Sequence, residues 1–191
     1  MAKARSVEDL DASAPYAAAA AKVIALRAGE IDEHAEGVLD LAEIERLHDM
    51  RVATRRLRAA MEVFEACFPR KAFAGALAEV KRLADALGER RDRDVAIAAM
   101  EDFAARLAAP DRPGIESLVS RFRVEQAEAN DALAPHVTEE RLADLRARVQ
   151  ELVAAAEKAG GKRTGSRGVA GALATEARSN GAGALGEEAH A

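Results

Sequence analysis

His48-Asp49-Met50-Arg51-Val52-Ala53-Thr54-Arg55-Arg56-Leu57-Arg58 places one histidine and four arginines within eleven consecutive residues. At about 100° per residue, a helix through this stretch gathers His48, Arg51, Arg55 and Arg58 into a stripe roughly 80° wide. It sets Met50, Ala53, Leu57, Ala60, Met61, Phe64 and Phe68 on the opposite side. One face is apolar and must be buried; the other concentrates positive charge along about 10 Å of helix axis.

A helix that needs only solubility alternates acid and base at i, i+4. Here Asp49 lies beside the stripe and Glu62 on it one turn later, which relieves part of the repulsion. Arg51, Arg55 and Arg58 are nevertheless expected to keep no matched carboxylate. Their neutralising partner is expected to come from outside the helix.

The composition fits a helical setting. Of 191 residues, 49% are hydrophobic but only 3% are aromatic and none is tryptophan. Alanine dominates, which favours closely packed helices over a sheet rich in β-branched and aromatic side chains. The net charge of -5 argues against long-range attraction of the whole molecule to a polyanion. Its distribution matters more. Residues 48–93 carry eleven Lys/Arg against seven Asp/Glu, whereas the remainder carries 17 against 26. Arginine outnumbers lysine 22 to 6, which suits bidentate phosphate recognition, although a codon bias toward Ala, Arg and Gly gives the same ratio.

Cys67 is the single cysteine, so no intrachain disulfide can form and a reducing compartment is the simplest setting. No uncharged apolar run of membrane-spanning length occurs, and the stretch with Lys3, Arg5, Glu8, Asp9 and Asp11 lacks the hydrophobic segment of a secretory signal. A cytoplasmic location is expected.

Outward from the decisive stretch, the periodicity predicts an all-α antiparallel bundle of about six helices over residues 15–159. Residues 1–14 read as a flexible N-terminus and 160–191 as a Gly/Ala-rich disordered tail holding eight of the 13 glycines. Helix 1 is expected over about 15–38, with Tyr16, Ala20, Val23, Ile31 and Val38 recurring at helical spacing. Asp40 and Glu43 suggest a capping box that opens helix 2 near Leu41, and Pro69 ends it after Cys67. Helix 3 is expected over 70–87, with Phe73, Leu77, Val80, Leu83 and Leu87 buried and Gly88 as a left-handed C-cap. Leu87-Gly88-Glu89-Arg90-Arg91-Asp92-Arg93-Asp94-Val95 then reads as a basic interhelical corner, with Asp92 the N-cap of a fourth helix that buries Ile97, Met100, Phe103 and Leu107. Ala109 to Gly114 is a break, helix 5 spans 113–133, and Thr138 opens helix 6.

The decisive stretch, followed by Lys81-Arg82-Leu83 and the Leu87–Val95 block, closely resembles the CHAD family, the conserved histidine α-helical domain. The resemblance covers about residues 15–158. It implies an all-α fold of two helical bundles related by pseudo-two-fold symmetry, with basic residues lining a groove that binds inorganic polyphosphate. It further implies no catalytic activity or cofactor and targeting to polyphosphate granules. Position by position, the family's histidine corresponds to His48, its helix-2 arginines to Arg51, Arg55, Arg56 and Arg58, its helix-3 basic pair to Lys81 and Arg82, and its corner arginine to Arg91. Arg90 and Arg93 are basic neighbours that match more loosely. The family's second half, with a further His- and basic-rich helix, has no counterpart here. A truncated member and a homodimer that replaces the missing half are both open.

Three rival readings come from other classes. His48-Asp49 is an HD dyad, with His34 upstream and Asp92 or Asp94 downstream, as in metal-dependent HD phosphohydrolases. A divalent cation among Arg51, Arg55 and Arg58 would be repelled, however, so no metal ligand is assigned. Nucleic acid is disfavoured because there is one tyrosine and five phenylalanines, most at core spacing, and hence little to stack on bases. A protein-binding scaffold is the third.

Overall fold

Alanine is both the strongest helix former and small enough to let helix axes approach closely, and the chain uses it for both. The computed structural model describes residues 3–8 and 10–163. They form α1 (Tyr16–Glu33), α2 (Ile44–Val63), α3 (Arg70–Arg106), α4 (Pro113–Leu133) and α5 (Glu139–Arg163), with no strand among the described residues. Single 3-10 turns at Glu65–Cys67, Ala109–Asp111 and Ala134–His136 make the joints.

Helices α1, α2, the first half of α3 and α5 pack as an antiparallel bundle, and α4 folds back along the second half of α3. Every bundle helix contributes a stripe to one core: Ala20, Ile24 and Ile31 from α1, Leu47, Met50, Leu57 and Met61 from α2, Val80, Leu83 and Leu87 from α3, Leu142, Val149 and Leu152 from α5. The α2 residues that the helical spacing set opposite the arginines are thus the ones buried. Ala53 and Ala76 are also enclosed, at 0% and 1% exposure.

The structure departs from the sequence expectation at several joints. Helices 3 and 4 are one continuous helix of 37 residues, so the described residues form five α-helices with no corner at Leu87–Val95. Gly88 sits in its interior with no left-handed backbone, and Asp92 is an exposed mid-helix residue rather than an N-cap. Continuity is supported from within: Arg90 forms an ion pair with Asp94 one turn later, and both are fully enclosed. Phe103, expected in the core, is 47% exposed because α4 alone covers this half of α3.

Helix α1 stops at Glu33, before the expected 38, and the chain turns through Gly37 at φ 72°. The positive φ is what favours glycine there; a Cβ would stand 2.9 Å from Cδ of the flexible Arg46 side chain, which could shift. Asp40 does not cap α2. Its carboxylate accepts from Ala42 N–H at 2.8 Å in the preceding turn, and α2 begins at Ile44. Tyr16 is exposed and pairs with Phe64 at 5.1 Å between ring centroids. The predicted span of α4 and the start of α5 agree with the structure, where Thr138 Oγ1 accepts from Arg141 N–H at 3.2 Å.

The N-terminal stretch expected to fray is tied to α1. Arg5 N–H donates to Glu30 at 2.8 Å and its guanidinium pairs with Glu33 at 2.6 Å. Helix α5 continues through Arg163, so residues 160–163 are helical. The rest of the expected tail lies outside the described residues.

Candidate functional site

On α2 the basic stripe faces outward. Arg51, Arg55 and Arg58 form one wall of an open groove of about 420 Å³, and Ala84, Asp85, Gly88, Glu89 and Asp92 of α3 form the other. Gly88 lets the walls approach: a Cβ on it would lie 4.0 Å from Arg51 Nε. Because α2 and α3 run in opposite directions, Arg58, seven residues beyond Arg51, comes level with Lys81, seven residues before Gly88.

The arginines differ in their neutralisation. Arg58 Nε pairs with Glu62 at 3.0 Å, so the expectation of an unmatched Arg58 is corrected: Glu62, one turn on, satisfies it. Arg51 and Arg55 make no ion pair among the described residues. The facing wall carries Asp85, Glu89 and Asp92, so the groove is basic on α2 and acidic on α3 rather than basic throughout. The sequence expectation puts Asp85 on helix 3 but Glu89 and Asp92 in a corner, where no helical register aligns the three.

The remaining sequence-derived candidates divide by direction. Lys81 shares the groove face of α3. Arg82 lies about 100° around that helix, held by Glu79, in a separate pocket against α5. His48 is half-buried on α2, outside the groove lining, with Nδ1 enclosed and unpartnered among the described residues. Arg56 is half-buried, turned from the groove and engaged within the fold.

The block Arg90-Arg91-Arg93 does not form a cluster. Arg90 is completely buried, and its partner Asp94 also accepts from Gln126 of α4 at 2.6 Å. Burial first, then the charge of Arg91, lowers the Arg90 pKa from its ordinary value. Arg90 is thus a core residue and not part of the surface. Arg91 points back toward α2, with Nη2 4.0 Å from Glu45, and Arg93 pairs with Glu125 of α4 at 3.2 Å. Consecutive helical positions diverge by about 100°, which explains why a run of arginines in sequence becomes three separate environments.

For the rival chemistries, among the described residues no group of three or more His, Cys, Asp or Glu is arranged to hold a metal ion. No aromatic side chain lines the groove. No helix among the described residues is long and apolar enough to cross a membrane.

An outward row of arginines on a helix offers guanidinium donors to an anion such as a carboxylate or a phosphate. The family model described as CHAD domain matches residues 22–190, nearly the whole chain, and the chain belongs to that family. The match continues past residue 158, through the glycine-rich segment that the motif resemblance left aside. No curated protein matches the chain.

Proposed function

We propose that this protein binds inorganic polyphosphate along the arginine wall of α2, without catalysing a reaction on it, and by doing so associates with polyphosphate granules in the cytoplasm. The observation that carries the reading is that Arg51 and Arg55 stand one turn apart on a rigid helix with no ion pair among the described residues. Family membership supports the ligand class. A linear polyanion supplies a phosphate for each guanidinium, and the helix holds them without a loop having to order on binding. Arg58, shared with Glu62, and Lys81, level with it, extend the row. His48 and Arg91 act from its flank, Arg56 is turned away from it, and Arg90 and Arg93 are held by Asp94 and Glu125.

The acidic wall of α3 shapes specificity. A stiff duplex with two phosphate strands would bring one of them against Asp85, Glu89 and Asp92, whereas a single flexible chain can keep to the α2 side. The test is a titration with polyphosphate at several salt concentrations, with molar mass measured in the same samples to detect a homodimer. Arg51→Glu with Arg55→Glu should abolish binding with helicity intact. Retained binding, or displacement by single-stranded DNA at equal phosphate concentration, would overturn the reading.

A further inference from the structure

A second group of arginines lies outside the groove. Between α3 and α5 a pocket of about 60 Å³ is lined by Glu79, Arg82, His136, Arg141 and Asp144 over a floor of Leu83, Leu142 and Leu145. Arg141 and Arg148 lie seven residues apart on α5, hence on one face. Both are exposed and make no ion pair among the described residues. Arg141 lines this pocket, and Arg148 lies two turns further along the same face of α5. The Glu79 carboxyl is held below its ordinary range first by the hydrogen bond from Arg82 and then by the charges of Arg82, Arg148 and Arg141, against the opposing effect of burial.

Position connects this pocket to the groove. On the α3 wall Glu89 and Asp92 lie toward the Arg51 end and Asp85 toward the Arg58 end, and one turn before Asp85 the same face of α3 carries Lys81. Lys81 is followed immediately by Arg82, which turns about 100° around α3 and faces α5. Lys81 and Arg82 therefore carry positive charge across the exposed side of α3, roughly one helix diameter of about 10 Å, past Asp85 and the Glu79 that clasps Arg82.

We infer that Arg82, Arg141 and Arg148, with His136 as a further hydrogen-bond donor, form a second phosphate subsite that receives a long linear polyphosphate after it leaves the α2 groove at Lys81. This rests on the polyphosphate reading and adds a path and a length dependence to it. A short oligophosphate fills the α2 wall alone. A long chain crosses α3 and gains the α5 contacts as well.

The experiment compares Arg141→Gln/Arg148→Gln with the unaltered protein, using tripolyphosphate and a polyphosphate of about a hundred units, each over a salt series. A control, Arg121→Gln/Arg123→Gln, removes the same charge from α4. The expected result is long-chain affinity reduced on the order of tenfold and a salt slope shallower by about 1 to 2, following the counterion released per phosphate contact. Tripolyphosphate binding and the control should be unchanged. Equal loss for both ligands, equal loss in the control, or no loss with the long chain would each overturn the second subsite. The last outcome, together with loss of all binding in Arg51→Glu/Arg55→Glu, would leave the groove reading standing. Absence of any polyphosphate binding by the unaltered protein would end both.

Discussion

Replacing Gly88 by alanine separates two incompatible accounts of the chain at the centre of the groove. Were Gly88 a left-handed C-cap, as its position after Leu87 suggests, alanine would be strained there and the protein would lose about 1 kcal/mol or more. The structure instead places Gly88 inside α3, without positive φ, where glycine costs about 0.5–1 kcal/mol relative to alanine. The new Cβ would meet Arg51 Nε at 4.0 Å, ordinary van der Waals distance, so no steric term cancels the gain. Gly88→Ala should therefore stabilise by about 0.5–1 kcal/mol, about 1–4 °C in Tm, read by urea titration and thermal melting. Polyphosphate affinity should be unchanged, because a methyl group leaves Arg51 in place. Gly88→Leu would retain the helical gain but push into the groove, and should weaken binding by on the order of tenfold, the worth of one charge-assisted contact. A measured loss of stability in Gly88→Ala would refute the continuous α3, and with it the alignment of Arg58 with Lys81.

Other perturbations have equally definite signs. Gly37→Ala, at φ 72° and with Arg46 Cδ 2.9 Å from the added carbon, should destabilise by at least about 1 kcal/mol in the same assays. Arg90→Ala leaves Asp94 buried with only Gln126 as partner and should cost about 3–5 kcal/mol in denaturant unfolding; Arg90→Met with Asp94→Leu should recover most of it. Glu62→Gln releases Arg58 from its 3.0 Å partner and should tighten polyphosphate binding and steepen its salt dependence by about 1. Glu79 has a lowered pKa, so its ionised form favours the folded state. That contribution is present above the unfolded glutamate value of 4.5 and is lost as pH falls below it, so a small stability deficit of Glu79→Gln at pH 7 should vanish in acid melts.

The sequence by itself determined the helical class, the α2 stripe and the identity of its buried face. These follow from a 3.6-residue period that Met50, Leu57 and Met61 obey on one side and Arg51, Arg55 and Arg58 on the other. It determined the span of α4 as well, because Pro113 is admitted only in a first helical turn and Pro135 follows its end closely. Local signals failed where a neighbouring helix supplied what the chain lacked. Gly88 and the charged run after it read as a break, yet Gly88 packs beneath Arg51 within a continuous helix, and Arg90 ion-pairs with Asp94 at i, i+4 while Gln126 of α4 donates to the same carboxylate.

Only tertiary structure could sort the arginines. Chain proximity placed Arg90, Arg91 and Arg93 together, but the rotation of about 100° per residue aims them at the core, at α2 and at α4. The same rotation, with α5 packed beside α3, brings Arg82 and Arg141 to one pocket from positions far apart in sequence. Which charges remain available to a ligand is decided by what packs against each helix face, and that depends on contacts between residues that no local pattern encodes.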